Sequence, residues 1–190
     1  MSVYKIFDIF TVLFLIQTCY TKPIDENRSL ASKRNLRDYT IKHFSGLTVK
    51  CMYEYADITL KLLADKSLDL HDESEILQFK QNATKFIEEF SFTNIDYLEG
   101  VVYYLELTEE QLTPESKFIV ELLEKYKYRE LREDLIKETQ NLIADFKTKF
   151  EEVKIHLGPD DPLLEWYGEF LSSEDQQVMA IEKFLQLTEY

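Results

Sequence analysis

The sequence is short of residues that stop helices and of residues that staple folds. It has four glycines, four prolines and two cysteines in 190 residues. Few breakers, with 45% apolar and 31% charged residues, predict long helices joined by short turns. No alternating run is long enough for a convincing strand. The expected fold is therefore all-α: a single domain of seven to eight amphipathic helices. Cys19 lies in an apolar leader, and removal of that leader would leave Cys51 as the one cysteine, without an internal disulfide. The fold then rests on its apolar core, which disfavours odorant-carrier, growth-factor and most toxin scaffolds. Cys51 itself reads as a small buried hydrophobe.

Long apolar runs are missing too. Ile9–Ile16 is too short to span a bilayer and follows Lys5, so residues 1–21 read as a secretory signal peptide, cut around Cys19 to Thr21. Localisation is then extracellular. Residues 22–35 read as a polar, loosely ordered arm, and 36–190 as the helical domain. The arm holds the glycosylation sequon Asn27-Arg28-Ser29 and the dibasic pair Lys33-Arg34. A processing cut after that pair is the minority reading beside ordinary surface.

Positive charge is scarce: 22 Lys and Arg stand against 36 Asp and Glu, a net charge of −14. Lys22 to Lys50 carries seven bases against three acids, a local balance of +4. A body this acidic repels phosphate backbones, which excludes nucleic acid as the expected partner. The basic stretch is expected to pair with the protein's own acidic helices, with transient contact to anionic membranes as the lesser reading.

Catalytic and metal patterns are absent as well. His43, His71 and His156 lie on separate elements with no ligand spacing, so no metal and no cofactor are expected. No nucleophile elbow or phosphate-cradling glycine loop occurs. Glu88-Glu89, Glu109-Glu110, Glu151-Glu152 and Asp160-Asp161 are contiguous, and neighbours on a helix diverge by about 100°, so they do not share a site. The protein is not expected to be an enzyme.

What is present is helical periodicity. The chain is organised around a hairpin from Leu112 to Leu157, opened by Thr113-Pro114-Glu115: a capping hydroxyl, a proline at the first helical position and an acid in the first turn. Phe118, Ile119, Leu122, Leu123 and Tyr126 follow at helical spacing. After the polar knot Lys127-Tyr128-Arg129 the period resumes through Leu131, Leu135, Leu142, Phe146, Phe150 and Val153. Upstream, Leu36–Phe44 reads as a helix stopped at Ser45-Gly46. Val49, Met52, Tyr53, Ala56, Leu60 and Leu63 mark the inner face of the next. A capping box at Asp72 and Glu75 starts a helix through Ile76, Phe79, Ala83, Phe86, Ile87 and Phe90. It carries a second sequon, Asn82-Ala83-Thr84, turned away from the Phe79–Phe86 stripe. Thr93 and Asp96 open a helix whose Val101-Val102-Tyr103-Tyr104 also admits a short strand. Gly158-Pro159-Asp160-Asp161-Pro162 ends the long helix. Two short helices follow, the last capped by Ser172–Asp175.

With thirteen Phe and twelve Tyr, the large side chains on these stripes either fill a core or line a cavity. Leu112-Thr113-Pro114-Glu115, then Ile119, Leu122, Leu123, Lys125, Leu131, Leu135 and Leu157-Gly158-Pro159-Asp160, resembles the nematode fatty-acid- and retinol-binding proteins over about residues 103–171. The resemblance implies a secreted helical carrier that takes a fatty acid or retinoid non-covalently into an interhelical cavity. On that reading Phe86, Phe90, Leu122, Phe146 and Phe150 would line the cavity, and Arg129, beside Lys127, would hold the carboxylate. The alternative is a secreted helical interaction protein with a packed core, no cargo and a protein receptor. An exposed apolar patch on one helix would favour it.

Overall fold

The computed structural model describes residues 28–89, 96–173 and 176–188. The expected signal peptide, Asn27 and Phe90 lie outside them. Among the described residues the regular structure is all helical, with no strand. The described residues form seven α-helices: α1 (Arg28–Leu63), α2 (Ser74–Glu89), α3 (Asp96–Glu106), α4 (Pro114–Lys125), α5 (Tyr128–Lys154), α6 (Pro162–Ser172) and α7 (Gln177–Leu187). The 3-10 turns Lys66–Leu70 and Glu109–Gln111 also lie among the described residues. No described helix is long and apolar enough to cross a membrane. The contacts divide the chain into two compact units where length predicts one domain. The first unit combines the stretch ending at Val49 with Ile136–Tyr190, and the second is Lys50–Leu135.

α1 corrects three expectations. It runs unbroken through Ser45-Gly46 and starts at Arg28, inside the arm expected to be loose. Gly46 keeps a negative φ, so it is an interior helical residue and not a left-handed cap. Leu36 and Thr40 before it and Phe44 and Thr48 beside it are all buried, which holds the helix continuous. Lys33 forms an ion pair with Asp161, the two side chains only 13% and 10% exposed, and this anchors the arm. The inner face past residue 49 is also rotated from the expected one. Cys51, Met52, Tyr55, Ala56, Thr59 and Leu62 are buried, while Val49, Tyr53 and Leu60 are 49%, 64% and 53% exposed. Threonine makes this possible. The hydroxyls of Thr40, Thr48 and Thr59 donate to the carbonyls of Leu36, Phe44 and Tyr55 at 2.7, 2.9 and 2.6 Å, so they are buried without an unmet donor.

In the first unit an aromatic cluster forms the core. Phe146 has ring centroids of Phe150, Trp166, Phe170 and Phe184 at 6.1, 5.9, 5.5 and 5.2 Å. Phe150 stacks on Tyr167 at 3.9 Å. The Trp166 indole N–H donates to the Ala180 carbonyl at 3.0 Å, which lets the ring be buried. Asp161 caps α6 by accepting from the Leu163 amide at 3.1 Å, and Pro162 occupies the first helical position. Of the expected cap of α7, Glu174 and Asp175 lie outside the described residues; the helix follows Gln176.

In the second unit α4 starts where its cap predicts. Thr113 Oγ1 accepts from the Ser116 amide at 3.1 Å, and Ser116 Oγ accepts from the Thr113 amide at 2.8 Å. α4 gives way to α5 through Tyr126-Lys127, with Lys127 left-handed at φ 62°. Tyr128, expected in a polar knot, is fully buried. Asp65, expected in a polar connection, binds the Ser67 amide at 3.0 Å and receives Lys125 and the Tyr126 hydroxyl from the hairpin. Those bonds, Lys125 foremost, hold its carboxyl well below the usual range. α3 is helical throughout, which settles the strand alternative at Val101–Tyr104.

Candidate functional site

α2 buries Ile76, Phe79, Ala83 and Phe86, and α3 buries Tyr97, Leu98, Val101, Val102 and Leu105. The rows beside these stripes meet at an open cleft of about 270 Å³. Gln78, Phe79 and Asn82 line it from α2, and Asp96, Tyr97, Glu99, Gly100, Tyr103 and Tyr104 from α3. Gly100 puts no side chain into the space, and a Cβ there would meet nothing within 4 Å. Tyr103 is 58% exposed. Tyr104 is fixed: its ring meets Phe79 edge-on at 5.7 Å, and its hydroxyl donates to Glu75 at 3.1 Å. Burial, aided by the Glu75 carboxylate, raises the Tyr104 hydroxyl well above its ordinary value. Glu75 serves this tyrosine where the sequence predicts a capping role. On the cleft's other edge Gln78 Nε2 donates to Asn82 Oδ1 at 2.9 Å.

Beneath the cleft, hydroxyls from three helices converge. The Tyr97 and Tyr128 hydroxyls are 2.6 Å apart, and Thr59 Oγ1 is 2.8 Å from Tyr128. Tyr55 packs beside them, its ring centroid 6.1 Å from that of Tyr128. Burial pushes the Tyr128 hydroxyl up to about 12 and raises those of Tyr55 and Tyr97 well above their ordinary value. These phenols stay neutral at physiological pH. Thr59, Tyr97 and Tyr128 have each other as hydrogen-bond partners, so the network specifies a core rather than offering a proton to a substrate.

The residues expected to line a lipid cavity fall in two places. Phe86 and Leu122 belong to the second unit, where Phe86 is fully buried with its ring 5.3 Å from that of Tyr97. Phe146 and Phe150 belong to the first unit, inside the aromatic cluster. Arg129 bonds Glu124 through Nε at 2.6 Å and the Leu105 carbonyl at 3.2 Å, so its guanidinium ties α5 to the end of α3. Lys127 shapes the bend through its backbone. Asn82 is half-buried on the cleft wall. Among the described residues no group of three His, Cys, Asp or Glu is placed to hold a metal ion. Cys51 is buried.

Sequence reasoning missed Asp96, Glu99 and Tyr103 as site residues. The available signal was Gly100 between them, a residue without a side chain in the middle of a helix. Set against known families, characterised proteins and solved structures, the chain has no match in any of the three.

Proposed function

We propose that this is an exported, non-catalytic helical protein that acts by binding a protein partner. One observation carries the reading: the rings expected to line a lipid cavity are packed against other side chains. Phe146 is fully buried among four aromatic neighbours. An acyl chain entering there would have to displace contacts it could at best replace, so burial of its methylenes brings no net gain. The partner-facing surface on this reading is the outer side of α1, where Tyr53 and Leu60 lie seven residues apart on one face and are exposed. The apolar run Ile9–Ile16 supports export.

The carrier remains as a second reading, favoured by the Thr113-Pro114 hairpin start that it shares with the resemblance. One pair of measurements separates the two. Full-length protein from a secretory host is analysed by native mass spectrometry for bound lipid. It is then labelled and titrated onto cells of its source tissue. The expected outcome is a bare polypeptide, apart from covalent modification, whose saturable binding is competed by unlabelled protein and lost in Leu60→Glu at unchanged helix content. Fatty acid or retinoid at near one-to-one stoichiometry, with no saturable cell binding, would overturn the proposal in favour of the carrier.

A further inference from the structure

The cleft between α2 and α3 and the sequon Asn82-Ala83-Thr84 coincide. Asn82 lines the cleft, half-buried, and Thr84 follows at the third sequon position. The remaining wall suits a sugar. Tyr103 offers an exposed ring face, whose negative π-cloud attracts the weakly positive C–H face of a pyranose. Asp96 and Glu99 are exposed carboxylates able to accept from hydroxyls, and Gln78 is an amide able to do the same. At about 270 Å³ the space lies just under the range of pockets for drug-sized ligands, so it suits one ring rather than a chain of them.

We propose that this cleft seats the protein's own glycan: the first N-acetylglucosamine on Asn82 lies against Tyr103, with Asp96 and Glu99 accepting from its polar groups. The inference rests on the export proposed above. The linkage forms when Asn82 Nδ2 attacks C1 of the first sugar of a lipid-diphosphate-linked oligosaccharide. The new C1–N bond replaces the C1–O bond to phosphate, the lipid diphosphate leaves with the bonding pair, and the amide gives up one proton. Transfer precedes folding, because in the folded chain Asn82 is helical and the Thr84 hydroxyl is engaged with the Lys80 carbonyl at 2.9 Å. Folding then brings α3 against the modified helix and closes the ring's second wall.

The test expresses the full-length chain, with its own amino terminus, in cultured eukaryotic cells. Glycopeptide mapping of the secreted protein reads Asn27 and Asn82 separately. The expected result is an occupied Asn82. Tyr103→Ala should then lower the thermal midpoint of the glycosylated protein by about 2 °C more than it lowers that of Asn82→Gln. Thr84→Ala, which removes the sequon but keeps the asparagine, should behave as Asn82→Gln does. Secreted protein with Asn82 bare overturns the inference while export stands, and a glycan at Asn27 would confirm that the transferase was met. Failure of secretion, with no glycan at either site, overturns both. Occupied Asn82 with equal Tyr103→Ala shifts in both backgrounds places the glycan outside the cleft and overturns it as well.

Discussion

Tyr128 follows a residue in left-handed conformation at an exposed helix bend, yet its ring and hydroxyl sit wholly inside the second unit. Its neighbours in sequence, Lys127 and Arg129, are polar, and pattern reading groups it with them. What buries it is distant in the chain: Thr59 and Tyr97 supply the bonds that a buried phenol needs. The same network has a measurable consequence. Burial raises Tyr55, Tyr97 and Tyr128, so the folded state keeps three protons that an unfolded chain releases near pH 10. The folded state then binds more protons above that pH, and stability falls as pH rises. The contribution is fully present below about pH 10. In an alkaline absorbance titration, the phenolate signal of these three should emerge only with loss of helix. Smooth, reversible ionisation of every tyrosine at constant ellipticity would refute the buried network.

At the scale of elements, caps were the most legible feature. Thr113-Pro114 and Asp161-Pro162 start helices where their chemistry says they should, because a cap is a bond between residues two or three apart. Helix ends that depend on glycine were less so. Ser45-Gly46 carries a stop signature, but the neighbouring turns both have core to bury, and the packing outweighs a cost of about 1 kcal/mol for one interior glycine. This yields a test of sign. Gly46 is exposed, and a Cβ there meets nothing within 4 Å. Gly46→Ala should therefore stabilise the protein by about 0.5–1 kcal/mol in chemical denaturation. A left-handed stop at Gly46 would make the same substitution destabilising. The rotated face of α1 has a related origin. Hydropathy ranks Val49, Tyr53 and Leu60 above Thr48 and Thr59, but a threonine that bonds its own helix is cheap to bury.

For the whole molecule, the dominant long-range term is a net charge of −14. Self-repulsion of that size opposes compaction, and salt screens it as the Debye length falls from about 30 Å at 10 mM to about 8 Å at 150 mM. Salt also weakens ion pairs, but most of those present, such as Lys61–Asp57 and Lys183–Glu169, are exposed and contribute little. The Lys33–Asp161 pair, 13% and 10% exposed, is screened less than these. The thermal midpoint should therefore rise across that salt range, as followed by calorimetry, and a fall would mean that the ion pairs outweigh the repulsion. The all-helical class and the caps at Thr113 and Asp161 were written in the chain's periods and short-range chemistry, since hydrophobic spacing and capping act within a few residues. The division into two units, the burial of Tyr128 and the placing of Asn82 and Tyr103 on one cleft were not. Each depends on side chains tens of residues apart, and no local pattern records which partner a face will find once the helices pack.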